Sequence, residues 1–193
     1  MGNFVAIGLT DPRASVSNVL GVPVLGGDDL LPGLFAQGVR AAVVATGANR
    51  LRQEIGESLL RMGFRLPVVI HPSATISPSA RIDQGTVVMA RAVVGVLAEI
   101  GELAIINTGA IVEHDNQVGR FAHIAPGAVL AGRVQIGDRT LVGVGSSVRP
   151  GIRIGDDSVV GAGSAVVSDI PSGTTVAGVP ARKLHTRPTQ ANP

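Results

Sequence analysis

Ile106-Asn107-Thr108-Gly109-Ala110-Ile111, Val112-Glu113-His114-Asp115-Asn116-Gln117 and Val118-Gly119-Arg120-Phe121-Ala122-His123 are three consecutive six-residue units, each opening on an aliphatic residue. Working outward, an aliphatic residue recurs at every sixth position from Ile70 to Val166 without a gap. Four places after it stands, with few exceptions, something small: Ala92, Ala98 and Ala104 before the quoted units, Ala128, Thr140 and Ser146 after them. A period of six fits neither a 3.6-residue helix nor a plain alternation of two, so it calls for a repeat architecture of short strands, each ending at a turn. Three units make one triangular coil, with the aliphatic and the small residue facing inward and the residue after the small one facing out.

Residues eighteen apart then lie one above another, at a coil spacing of about 4.8 Å, and roughly five coils make a prism about 25 Å tall. The glycines follow that spacing in two columns, Gly109, Gly127, Gly145, Gly163 and Gly101, Gly119, Gly137, Gly155. Both read as stacked corners, where positive φ carries no Cβ penalty. The fold class is therefore mainly β: a parallel β-helix over 70–170, preceded by a small α/β segment over 1–69 and followed by an extension and tail over 171–193.

Bulk properties exclude several classes. The chain has 193 residues and a formal charge of only +2, and its basic residues are scattered without interleaved aromatics, so nucleic acid is not an expected partner. No signal peptide or long apolar run occurs, and cysteine is absent, which points to a cytoplasmic protein without membrane insertion.

Ahead of the repeat, Asn3 to Leu9 and Ala41 to Thr46 read as buried strands, and Asp28 to Gln37 and Asn49 to Met62 as helices, with Leu51, Ile55, Leu59 and Met62 on one face. Strand and helix in alternation suggest parallel strands. The turn Thr46-Gly47-Ala48-Asn49-Arg50 joins a strand end to a helix start, where outward N–H groups and the helix dipole can hold an anionic or nucleotide group; Gly47 and Asn49 are its candidates, against a plain connection. The absence of a GxGxxG loop favours the plain connection. Pro67, Pro72 and Pro78 stiffen the approach to the first coil. Pro171 to Leu184 leaves the repeat, and the tail from His185 reads as disordered.

Chemistry is expected where polar residues interrupt the repeat. At His114, Asn116 replaces the usual small inward residue, and Glu113 or Asp115 can orient the imidazole for general-base work. His123 lies between inward Ala122 and Ile124 and so points outward. Half a coil separates the two histidines, so they meet only if one comes from each of two chains. Outward Ile105, Ile111, Val129 and Leu141 favour such side-by-side packing as a homotrimer. The eighteen-residue rule sets Gly132 directly over His114, where its N–H can polarise an acyl carbonyl.

The segments Ile70-His71-Pro72-Ser73-Ala74, Ile106-Asn107-Thr108, Val112-Glu113-His114-Asp115, His123 through Gly127, Leu130-Ala131-Gly132 and Gly178-Val179-Pro180-Ala181-Arg182 together resemble the sugar acetyltransferases of the left-handed β-helix class. That group includes sialic acid O-acetyltransferases and N-acetyltransferases of nucleotide-linked 4-amino sugars in bacterial surface-glycan pathways. The resemblance implies a left-handed coil, acetyl-CoA as co-substrate, a sugar or nucleotide-sugar acceptor, and active sites between the subunits of a homotrimer. It makes His114 the base supported by Asp115, puts His123 of a neighbouring subunit at the acetyl end of acetyl-CoA, and has the Gly132 backbone hold the thioester carbonyl. Asn107 falls where the acceptor sugar is expected, and Arg182 and Lys183 near the phosphates of CoA. Members of the group begin with a further strand and a Gly-rich loop, so a truncated nucleotide-sugar domain over 1–69 is expected here. N-acetylation leads O-acetylation of a sugar hydroxyl. A non-catalytic β-helix scaffold is the rival of another class, and a zinc carbonic anhydrase on the same prism lacks a third histidine beside His114 and His123, so no metal is expected.

Overall fold

The computed structural model describes residues 4–184. From Val69 onward, two-residue strands stack in parallel at the spacing the repeat dictates: Ile105 pairs with Val87 below and His123 above, Ile111 with Val129, and Gln117 with Gln135. Three faces result, of eight, six and five strands, and they close a left-handed parallel β-helix. The second residue of each strand points inward, and Val94, Ile106, Ile124, Leu130, Val142 and Val160 are buried there. Ile70, Ile76 and Ile82 at the lower end are only partly covered, since no coil lies beneath them.

The small inward residues are polar in several coils, and each polar atom is spent. Thr86 Oγ1 donates to Gly101 O at 3.0 Å, Thr140 Oγ1 to Gly155 O at 2.6 Å and Ser146 Oγ to Gly161 O at 2.8 Å. Asn116 is fully buried; its Nδ2 donates to Glu113 O at 2.9 Å and its Oδ1 accepts the Val134 N–H at 2.5 Å. Left unpaired in this core, each such group would cost about 1–3 kcal/mol.

The two glycine columns turn out to differ. Gly109, Gly127, Gly145 and Gly163 have φ of 64° to 66°, as a left-handed corner requires. Gly101, Gly119, Gly137 and Gly155 do not take positive φ; a Cβ on any of them would strike the coil above, as Gly101 would meet Arg120 N at 2.9 Å. The second column answers close approach rather than turn strain. Where a corner lacks glycine, an ordinary residue takes the same conformation, Asp115 at φ 57° and Phe121 at φ 58° among them.

Past Val166 the repeat does not end at once. Thr175–Ala177 pairs in parallel with Val159–Val160, but Val159 meets Thr175, sixteen residues on, and Arg182–Lys183 then folds back antiparallel. The residues from His185 onward, read above as disordered, lie outside those described.

The N-terminal segment is less regular than its sequence suggests. Residues 4–8 form no strand; β1 (Leu9–Thr10) pairs in parallel with β3 (Val22–Gly26), which also forms an unforeseen antiparallel hairpin with β2 (Asn18–Val19). Of the run from Ala41 to Thr46, only Ala41 makes a β-bridge, to Arg65. The first predicted helix divides into a 3-10 turn and α1 (Leu31–Ala36), while α2 (Asn49–Arg61) stands as read. Of the predicted apolar face, Leu59 is buried and Ile55 and Met62 pack against the same core, while Leu51 is exposed; Arg52 and Gly56 are buried beside them because α2 lies against one corner of the prism. That corner is a column of positions eighteen apart: Gly85, Leu103, Phe121, Arg139 and Asp157. Leu103 and Phe121 are buried with Val44, Leu59, Phe64 and Leu66 in a second core. Higher up, Asn49 Nδ2 donates to Arg139 O at 2.7 Å, and Asp157 takes both Arg50, at 2.7 Å, and Arg139.

Candidate active site

His114 stands two places past a buried inward residue, Val112, on a corner whose next residue, Asp115, is left-handed. That backbone turns the Asp115 carboxylate back onto the ring: His114 Nδ1 and Asp115 Oδ2 are 2.7 Å apart. With Nδ1–H donated to the carboxylate, the lone pair lies on Nε2. Nε2 is the His114 atom that a Cβ on Gly132 would meet first, so the free nitrogen sits directly under Gly132, as the eighteen-residue rule requires. The two coils are tied together beside it, Arg133 N–H donating to His114 O at 3.0 Å. Among the described residues the Gly132 N–H donates to no protein acceptor. Both side chains are about half exposed, so a substrate can reach them. A base with a fixed tautomer beside an unspent amide donor is suited to deprotonating a nucleophile and steadying an oxyanion.

A second cluster lies on another face of the prism. His123 is on the strand directly above that of Ile105 and Ile106, and Asn107 follows that strand. Asn107 Oδ1 accepts the Thr108 N–H at 2.7 Å, which turns its Nδ2 toward His123 Nε2, 2.9 Å away. Burial and then the Arg52 charge lower the His123 pKa, against a hydrogen bond to the Gly47 backbone that raises it. His123 is therefore neutral at physiological pH. His114 and His123 do not bond each other, in line with their separate faces.

Gly47 and Asn49 lie at the join of α2 with the prism. Gly47 O accepts from Arg52 and faces His123, and the Asn49 carboxamide is spent at both ends, Nδ2 on Arg139 O and Oδ1 on Arg52 Nη2 at 2.8 Å. Arg182 and Lys183 are exposed at the top of the prism, along a groove bordered by Val166, Ser168 and Asp169. Sequence reasoning passed over Arg52, which is 1% exposed. A charged residue on an amphipathic helix reads as solvated; the available signal was that Leu103 and Phe121 put apolar side chains on a corner column elsewhere filled by glycine or charge.

The comparisons bear on this geometry. Residues 133–168 match the family model described as the hexapeptide repeat of succinyl-transferase. The chain is 48% identical to PerB of Caulobacter crescentus, solved with CoA and GDP-perosamine, over 88% of this chain and 82% of that one, with a TM-score of 0.86. It is 44% identical to the acetyltransferase domain of PglB from Neisseria gonorrhoeae, also solved with acetyl coenzyme A, with a TM-score of 0.88 over 92% of this chain and 86% of that domain. This chain is a hexapeptide-repeat acetyltransferase. WeeI of Acinetobacter baumannii shares the fold at 25% identity and a TM-score of 0.84, over 92% and 85% of the two chains. Among the described residues of this acetyltransferase, no group of three His, Asp or Glu is placed to hold a metal ion, and no helix is long and apolar enough to cross a membrane.

Proposed function

We propose that this acetyltransferase moves the acetyl group of acetyl-CoA onto the amino group of a nucleotide-linked amino sugar. The observation that carries the reading is the His114 arrangement, with Nδ1 held by Asp115 and Nε2 free beneath Gly132. The similarity to a GDP-perosamine-bound and an acetyl-CoA-bound relative supports the choice of substrates. His114 Nε2 accepts a proton from the acceptor amine as its nitrogen attacks the thioester carbon. The Gly132 N–H faces the oxygen on which negative charge develops, and Asp115 stabilises the imidazolium. The C–N bond forms, the C–S bond breaks, and His114 returns its proton to the departing CoA thiolate.

Asn107 and His123 occupy a different face from His114, so a complete site takes one face from each of two chains; three copies about a three-fold axis close this arrangement. The N-terminal segment, 1–69, is the unit assigned to the nucleotide sugar, with Gly47 and Asn49 at the turn nearest His123. Arg182 and Lys183 supply two cations suited to the phosphates of CoA. Both substrates are multiply charged and do not cross membranes freely, which supports a cytoplasmic reaction. Thiol release from acetyl-CoA, measured over a panel of nucleotide-linked amino sugars and sialic acids with mass spectrometry of the product, tests the reading. An acetamide is expected; an ester product would shift the reaction to O-acetylation, and acetyl-CoA binding without transfer would leave a scaffold.

A further inference from the structure

Arg52 is a buried cation, and among the described residues no carboxylate pairs with it. Its guanidinium instead gathers carbonyls from three parts of the chain: Nε donates to Leu103 O at 2.8 Å, Nη1 to Thr46 O and Gly47 O at 3.1 and 3.2 Å, and Nη2 to Phe121 O at 2.6 Å. Burial pushes its pKa down only to about 10, so it stays charged at neutral pH. Leu59, Leu103 and Phe121 lie beside it, and a methionine of similar length would avoid burying a charge but leave these four carbonyls without their donor. What the guanidinium adds is direction. It fixes the Gly47 carbonyl on one side and, on the other, the Phe121–Ala122 backbone that leads into His123.

The His123 ring lies between those two anchored points. Asn107 is committed by the Thr108 N–H to presenting its Nδ2, so His123 Nε2 must accept, and the ring proton must sit on Nδ1. Asn107 Nδ2 keeps a second N–H for a ligand. We propose that Arg52 is a positioning residue of the transfer site, bracing the Thr46–Gly47 turn against Phe121 and Ala122 so that His123 is held as the Nδ1–H tautomer and Asn107 is aimed at the acceptor. The last step rests on the acetyl-transfer reading above; the tautomer does not.

The test is long-range proton–nitrogen NMR of the histidine rings in the full-length protein, alongside steady-state kinetics. Wild type is expected to show His123 with a protonated Nδ1 and a bare Nε2 at neutral pH. Arg52→Lys keeps the charge but cannot span four carbonyls with a fork, and should give mixed tautomers. The same variant should lose about tenfold to a hundredfold in kcat/KM for the nucleotide amino sugar, chiefly through KM, with CoA affinity unchanged. A wild-type Nε2–H tautomer, or an Arg52→Lys protein with the wild-type nitrogen signature, would overturn the proposal. Should Arg52→Lys not fold, Asn49→Ala removes one acceptor of the fork and should shift the tautomer balance partway; no shift there counts against Arg52 equally. The nitrogen shifts need no turnover, so a wild type without acetyl transfer would end the functional reading while the tautomer still decides this one.

Discussion

The corner column through Gly85, Leu103, Phe121, Arg139 and Asp157 and the column through Leu97, Asp115, Arg133 and Gly151 share one backbone. Leu103, Phe121, Arg139 and Asp157 have φ of 53° to 58°, and Leu97, Asp115 and Arg133 of 55° to 59°. Their side chains meet opposite fates. On the first column Leu103 and Phe121 are sealed under α2, and Asp157 takes both Arg50 and Arg139. On the second, His114 and Asp115 stand half exposed, bonded to each other and open to solvent. The repeat thus assigns a sealed joint and an open, polar candidate site to different corners, so changes at the first should show first in stability and changes at the second first in turnover.

The largest effect expected on the open corner is that of His114→Ala, which should lower kcat by about a hundredfold or more while CoA affinity, followed by calorimetry, and melting temperature barely move. Loss of stability instead would mean that this corner also carries load. On the sealed corner stability should respond first: Phe121→Ala should cost about 3–5 kcal/mol in denaturant titration, as for other buried aromatics. Gly132→Ala comes next. Gly132 is not in a positive-φ conformation, so alanine suits the backbone, and the three atoms nearest its Cβ all belong to the His114 ring. A loss of about tenfold to a hundredfold in kcat is expected, with no further loss when the change is added to His114→Ala. Additive effects would show that Gly132 acts apart from the histidine.

The smallest effects are pH-dependent. The hydrogen bond from Arg139, more than its charge, holds Asp157 below the usual carboxylate range. Its contribution is present above the ordinary value of 3.8 and is lost as pH falls through the lower folded value. Asp157→Asn should cost under about 1 kcal/mol at neutral pH, and its melting curve should converge with wild type in acid. His123 runs in the same direction at higher pH. With its folded pKa below the ordinary 6.5, stability is complete above 6.5 and falls as pH drops toward the depressed value, a slope that His123→Gln should flatten.

What the sequence made legible follows the same division. Ile106, Val112 and Val118 announce their inward direction by period alone, and the placement of Gly132 over His114 needed only the count of eighteen. The glycine columns were located correctly, yet one was credited to turn strain when it answers contact between coils, because a period reveals that a residue must be small without revealing which neighbour demands it. Legibility falls off where the prism meets α2. Arg52 looks like a solvent-facing helix residue until Leu103 and Phe121 enclose it, and the strands expected at 3–9 and 41–46 are short of partners that would extend them. Contacts between dissimilar elements leave no period to read.

The shortened step at Thr175 shows where this architecture tolerates changes of length. Between His114 and Gly132 one lost residue would turn every later side chain out of phase and carry the amide away from the base. From Ile154 upward the chain drops two residues from its stride, Ile154 meeting Ile170 and Val159 meeting Thr175, and still pairs, since nothing beyond that point must align with His114. Insertions and deletions in natural variants should therefore gather at the upper rim, where extensions can be exchanged and new surfaces tried, while the middle coils keep a fixed count.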